Sequence, residues 1–266
     1  MIWLGKRIAE GQIALMLLTR LPAGNIAGTA PSLAAARWAF PLAGLPVGLV
    51  IAGAYIGLSW LGLPVLLSAI LALTAGVLTT GGLHEDGLAD SADGFGGGHN
   101  PERKLEIMKD SRIGSYGVLA LIMVMSARVV ALSSLGASMT TLLGIVAFAM
   151  ASRMLMVGYL SLLPAARSDG LGRHASHDSG DDTGDDMRAQ KYLPLIIAFL
   201  ITAPALMAAY LFSASVLAAF MVMIIMALIM ASLAKRQIGG QTGDVCGAGQ
   251  ILSETAAWCA LAALMI

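Results

Sequence analysis

Charge is what this sequence has least of. Lys, Arg, Asp and Glu make up 12% of its 266 residues, hydrophobic residues make up 58%, and the mean hydropathy is +0.81. A soluble domain carries roughly 25% charged residues. Too little polar surface is therefore left to cover a water-soluble globule, and the membrane class follows before any motif is read. Sixteen basic residues balance sixteen acidic ones, so the basic excess expected of a nucleic-acid-binding chain is missing. Cysteine is also scarce. Cys246 and Cys259 form no Cys-x-x-Cys pair and no metal-ligand spacing, so both are expected in the core rather than in a disulfide framework. A secretory signal peptide is not expected, because the apolar run 13–18 is short and leads into Thr19-Arg20-Leu21-Pro22. No internal repeat is found, which disfavours the symmetric halves of a transporter.

Long apolar runs are what the chain does have. Spanning hydrocarbon takes roughly 17–25 residues, and seven stretches qualify as candidate spans, at 38–60, 62–80, 115–135, 139–160, 193–212, 214–234 and 247–266. The expected fold class is all-α, a polytopic integral membrane protein formed by a single membrane-embedded domain over 1–266. The segment Ile8–Leu18 is too short to cross and is expected as an interfacial helix. Connectors near 60–62, 135–139 and 212–214 hold no charged residue or histidine, whereas 81–114, 161–192 and 235–246 are long and polar. The polar connectors carry most of the Lys and Arg, so they are expected on the cytoplasmic side of the inner membrane. All four histidines and fourteen of the sixteen acids lie in those loops. Such one-sidedness suits an enzyme working at the membrane surface better than a transporter.

The first polar loop runs Gly82-Leu83-His84-Glu85-Asp86-Gly87-Leu88-Ala89-Asp90-Ser91-Ala92-Asp93-Gly94. A helix over 84–93 puts Asp86, Asp90 and Asp93 on one face, with Gly94 placed to end it. Like charges stacked at this spacing destabilise a helix unless a cation gathers them. Mg²⁺ is the natural cation, since it serves phosphate chemistry through one or two carboxylates plus substrate oxygens. A solvated acidic helix is the plain alternative. His84-Glu85 lacks the second histidine of a zinc-protease helix, and Gly94–Gly98 lacks the Lys-Ser/Thr of a P-loop. The glycine run offers either backbone amides for a phosphate or a flexible turn. Asn100-Pro101 reads as a helix start, and in the basic segment that follows Lys109 or Arg112 is a candidate phosphate contact. Arg153 inside a span is either functional or paired with an acid. Arg128, deeper in its span, is given no role. Asp244 in Gly240-Gln241-Thr242-Gly243-Asp244 is a candidate ligand or base, and Glu254 in an apolar span needs a cationic partner. By helical rise Arg153 and Glu254 lie at comparable depth, so they are expected to pair. The acidic stretch 178–186 resembles a calcium loop only loosely.

The run 82–94 closely resembles the signature of the cobalamin synthase family, the adenosylcobinamide-GDP ribazoletransferases. Leu18-Thr19-Arg20-Leu21-Pro22, Phe40-Pro41-Leu42-Ala43-Gly44, Lys109-Asp110-Ser111-Arg112-Ile113-Gly114-Ser115-Tyr116-Gly117, Ala166-Arg167 with Gly170-Leu171-Gly172, and Gly240-Gln241-Thr242-Gly243-Asp244 are similar too, in order, across essentially the whole chain. The stretch 178–186 has no counterpart in that pattern and receives no role. The resemblance implies a Mg²⁺-dependent late step of cobalamin assembly. In it, adenosylcobinamide-GDP is joined to α-ribazole or its 5′-phosphate, and GMP is released. Asp86, Asp90 and Asp93 would then hold the metal. Arg112, Arg153 or Arg167 would neutralise developing charge, and His84, Glu85 or Asp244 would be the base. The expected partners are these small molecules and the lipid bilayer, without nucleic acid; a homo-oligomer is compatible with the sequence. The rival is a membrane phosphotransferase of the CDP-alcohol type. Its pattern places Ala-Arg after Asp-Gly, whereas Asp86-Gly87 is followed by Leu88-Ala89-Asp90.

Overall fold

The structure is a computed structural model that describes residues 2–26, 28–168, 170–176 and 185–265. Among these residues the fold is all-α. In chain order the helices are α1 (Ile2–Leu18), α2 (Leu33–Ala36), α3 (Phe40–Trp60), α4 (Val65–Thr80), α5 (Leu83–Gly97), α6 (Pro101–Ile107), α7 (Ser115–Leu135), α8 (Met139–Leu162), α9 (Leu171–Ser176), α10 (Asp185–Phe212), α11 (Ser215–Ile238) and α12 (Gly243–Met265), with a 3₁₀ turn at Arg37–Ala39. The start of the acidic stretch 178–186 lies outside the described residues.

Five helical segments are long and apolar enough to cross a membrane: Leu33–Trp60, Ser115–Leu135, Met139–Leu162, Tyr192–Phe212 and Ser215–Ile238. A sixth is reached only if α4 and α5, bent by 88°, count as one broken span. The expected seven are therefore not confirmed, for two reasons. Helix α4 has 16 residues, and α12 carries Gln250, Ser253, Glu254 and Thr255 through its middle, all buried. Side chains such as Leu78, Ile122, Met123, Leu200, Leu211 and Leu228 point outward. An apolar exterior of this extent belongs in lipid rather than water.

Helix α8 is the most enclosed, and it packs against α3, α10 and α12. Its contact with α3 is made by small residues four apart. A methyl group on Gly48 would lie 2.8 Å from the Val146 Cα, and one on Gly44 would collide with the Ala149 backbone. This is the small-residue crossing that lets helices approach where lipid supplies no hydrophobic drive. Helix α1 begins earlier than expected and packs on α3, with Ala14 and Leu18 in the core. Its buried Glu10 accepts bonds from Arg7 and from the Trp38 indole, both at 2.7 Å.

Helix α12 is fixed to α7 and α8 by charge. The Glu254 carboxylate accepts from Arg128 Nη2 at 3.0 Å, Arg153 Nη1 at 2.8 Å, Ser152 Oγ at 2.9 Å and Gln250 Nε2 at 2.6 Å. The expected Arg153–Glu254 pair is present, but it is half of the arrangement. Arg128 is the other half, its guanidinium 4.3 Å from the centre of the Trp258 ring. Two cations share one buried anion, so the pair cannot be removed as a unit. Glu254→Gln is expected to cost about 3–5 kcal/mol of stability, as breaking a buried pair does. Arg153→Met with Glu254→Met should not recover it, because Arg128 stays unpaired, whereas adding Arg128→Met should recover most of it. Thermal unfolding in detergent checks this. Equal stability of the double and triple variants would show that Arg128 does not depend on Glu254.

Candidate active site

The acidic helix owes its direction to two glycines. Gly81 and Gly82 have φ of 69° and 73°, in the left-handed region that side chains with a Cβ avoid. They end α4 and start α5 across the end of the bundle. There α5 packs on α12 and α7, and Leu88, Ala89 and Ser91 are buried. Gly87 brings the α5 backbone close to that of α12: a methyl group on it would lie 2.7 Å from the Asp244 carbonyl oxygen. The helix expected over 84–93 is thus present, but Gly94 does not end it. Helix α5 continues to Gly97, and Gly94 is instead the place where Met108 and the Lys104 backbone press against it. Helix α6 starts at the expected cap, with Asn100 Oδ1 accepting the Arg103 amide at 2.8 Å.

The three aspartates of α5 do not share one environment. Asp86 is exposed, Asp90 is half-buried and Asp93 is buried. Both oxygens of Asp93 accept backbone amides at the start of α7, from Gly114 at 2.7 Å and Gly117 at 2.9 Å. A carboxylate there satisfies helix-terminal donors and complements the helix dipole. Asp90 is affected differently. Its carboxyl is pushed up to about 7, first by burial and then by repulsion from Asp86, Asp244 and Asp93, with Arg167 opposing. Asp244 is also raised, chiefly by burial, while Arg167 and Thr242 oppose and Asp86 adds repulsion.

Two distant loops are tied together beside this cluster. The Gln241 amide donates to the Pro164 carbonyl, and the Ala166 amide donates to the Gln241 carbonyl, both at 2.8 Å. This clip holds Arg167 near Asp244, with Nη1 to Oδ2 at 3.4 Å, while Nη2 donates to the Leu105 carbonyl at 3.0 Å. Thr242 Oγ1 lies 3.3 Å from the same Asp244 oxygen. Asp86, Asp90, Asp244 and Arg167 are therefore brought together from three loops.

The other expected site residues lie elsewhere. Arg112 is exposed and grips Asp110 at 2.7 Å, and its hydrogen bonds hold that carboxyl down at about 2. Arg153 belongs to the Glu254 network. His84 and Glu85 border a small interior cavity with Arg128, Arg153, Gln250 and Glu254. His84 also borders the larger cavity described below, and its Nε2, like Glu85 Oε2, is buried without a hydrogen-bond partner among the described residues. Arg128 and Gln250 were missed by sequence reasoning, although a cation inside a span and an amide four residues before Glu254 were signals for them. A larger cavity of about 160 Å³ is bordered by Leu17, Phe40, Met156 and Leu160 and also by Asp86, Arg167 and Asp244.

The cobalamin-5-phosphate synthase family description (CobS) matches residues 11–262. This chain belongs to that family. Curated relatives named adenosylcobinamide-GDP ribazoletransferase support the placement. The one from Bradyrhizobium diazoefficiens is 43% identical over 91% of this chain and 88% of its own length. That from Azorhizobium caulinodans is 43% identical over 94% and 93%, and that from Mesorhizobium japonicum 42% identical over 92% and 89%. No solved structure matches the chain.

In this cobalamin synthase family member, the carboxylate cluster has a measurable signature. Asp90 titrates at about 7 in the folded chain, above its ordinary value. Between those two values the folded state holds a proton that the unfolded chain has lost, so stability falls as pH rises towards about 7 and levels off above it. In chelator-treated protein, Asp90→Asn should therefore melt higher than the parent at pH 8 and equal it near pH 4. A thermal-melt series across pH measures this, and an unchanged difference at all pH values would refute the charge cluster.

Proposed function

We propose that the protein is a Mg²⁺-dependent adenosylcobinamide-GDP ribazoletransferase of the inner membrane, with its site on the cytoplasmic side. The carrying observation is that Asp86, Arg167 and Asp244 border one cavity, with Asp90 beside them, at the end of the bundle that holds the polar loops. Relatives of high coverage carry that activity as their name. The donor would be adenosylcobinamide-GDP, and the acceptor α-ribazole or its 5′-phosphate.

A metal fits the donor set. Among the described residues no group of three His, Cys, Asp or Glu side chains is placed to hold a metal ion. Mg²⁺ does not require such a group, since it takes one or two carboxylates and completes its shell with substrate phosphate oxygens and water. Asp86 and Asp90, one turn apart and mutually repelling, would hold it. It would supply charge neutralisation on the pyrophosphate. Asp93 is assigned instead to positioning, because both of its oxygens hold the start of α7.

The chain's own groups account for the remaining work. The acceptor's ribose hydroxyl attacks the phosphorus on the aminopropanol arm of the corrinoid, and GMP departs as the P–O bond to it breaks. Asp244, raised from its ordinary value by burial, suits removal of the hydroxyl proton. Arg167 stands beside it to neutralise charge that builds on the departing phosphate. His84 and Glu85 border the interior network, so Asp244 is the base this arrangement favours. Positioning and charge neutralisation are the main requirements of phosphoryl transfer.

Purified protein given adenosylcobinamide-GDP, α-ribazole and Mg²⁺ should release GMP, and chelation should stop it. Asp86→Asn and Asp90→Asn should each lower the rate at least about a hundredfold in folded protein, the scale set by losing an electrostatic contact to the transition state. Asp93→Asn should lose thermal stability as well as rate. Near-normal turnover of both Asp86→Asn and Asp90→Asn at saturating Mg²⁺ would leave the acidic face merely solvated. Orientation has its own test. Cysteines placed in 81–114, 161–192 and 235–246 should react only with reagents that reach the cytoplasm, because the opposite connectors carry no charge. Labelling of any of them from outside intact cells would refute a cytoplasmic site.

A further inference from the structure

Building on the ribazoletransferase reading, we infer that the 160 Å³ cavity is the seat of the acceptor's aromatic base, so that the acceptor binds inside the bundle end and the corrinoid donor stays outside it. The reaction offers four bulky groups that could occupy this space. A corrin ring with its amide arms is far too large. Guanine carries an amide and an amino group along its edge, the adenine of the donor's adenosyl group carries an amino group and ring nitrogens, and each needs a hydrogen-bond partner when buried. A benzimidazole is flat, uncharged and apolar over nearly all its surface, which is what Leu17, Phe40, Met156 and Leu160 are suited to cover.

The polar features agree with that occupant. Once glycosylated, a benzimidazole keeps one free ring nitrogen, an acceptor. His84 borders the cavity, and its Nε2 is buried with no hydrogen-bond partner among the described residues. Asp86, Arg167 and Asp244 border the same cavity. A nucleoside whose base lies on the apolar wall therefore has its ribose on the side of Asp244. The donor's pyrophosphate then meets the acids from the loop side, and the two reactants approach phosphorus from different directions. The cavity would thereby set which base is accepted. Gln241 and Thr242 border the cavity too, but Gln241 Nε2 already donates to the Gly172 carbonyl and Thr242 Oγ1 to Asp244, so a purine edge would have to compete with these bonds and would be rejected more strongly than an apolar analogue.

Two measurements on the full-length protein in detergent decide this. Calorimetric titration with α-ribazole alone should show binding, and titration with guanosine should show none. Leu17→Trp and Met156→Trp, which fill the cavity, should each raise the α-ribazole KM about tenfold or more and change the adenosylcobinamide-GDP KM less than about twofold. Leu17 is only partly buried, so Leu17→Ala supplies a variant that keeps the fold. It should raise the same KM by about threefold through lost apolar contact. A protein that binds α-ribazole, loses this binding in Leu17→Trp and yet releases no GMP would support the cavity assignment while refuting the ribazoletransferase reading. An active protein in which the three substitutions leave the α-ribazole KM unchanged, or move the donor's KM instead, would overturn the cavity assignment and leave that reading intact. Absence of α-ribazole binding, or equal binding of guanosine, would overturn the assignment as well.

Discussion

The contact on which the site depends is a backbone contact, Gly87 of α5 against Asp244 of α12. Roughly a hundred and fifty residues separate these positions, and neither loop alone brings an acid cluster against Arg167, which lies in a third loop. Because Gly87 has no side chain, the first turns of the two helices meet at backbone distance, and Asp86 comes close enough to help raise the Asp244 carboxyl. The turn at Gly81–Gly82 serves this contact by swinging α5 through 88°. The clip between 164–166 and Gln241 adds Arg167 from a third loop.

Charge is divided on the two sides of α5. On one side Glu254 is matched by Arg128 and Arg153 and by the hydrogen bonds of Ser152 and Gln250. That network is buried among apolar helices, where an unpaired ion would be costly, and it binds α7, α8 and α12 into a rigid base. On the other side Asp86, Asp90 and Asp244 outnumber the one arginine among them, and the surplus shows as a carboxyl pushed up to about 7 at Asp90. In the inner cluster every charged group of the three has an ion-pair partner, because Arg128 and Arg153 both bind Glu254, whereas the outer one sets three acids against one arginine. An unbalanced cluster at the surface has room for a cation and an anionic substrate.

Membrane class, helical content and the gathering of polar loops were legible in the sequence, because hydropathy and charge position depend on composition along the chain alone. The acidic helix was legible too, since Asp86 and Asp90 lie one turn apart whatever surrounds them, and Asp244 stood out as an acid among glycines. The pairing of Arg153 with Glu254 followed from helical rise applied to two polar residues in apolar spans.

What only the tertiary structure decided was how these residues divide the work. The sequence puts Asp93 on the same face as Asp86 and Asp90, but the Gly114 and Gly117 amides reach it first, and only packing of α5 on α7 makes that so. Arg128 joined Glu254, and Arg112 remained at the surface with Asp110. The expected seven spans also met a limit of one-dimensional reading. Helix α12 carries a polar middle that hydropathy penalises and that buried partners on α7 and α8 satisfy. Periodicity tells which side chains share a face, but the neighbouring helix that meets that face decides whether a carboxylate caps a helix, neutralises an arginine or remains open to a ligand.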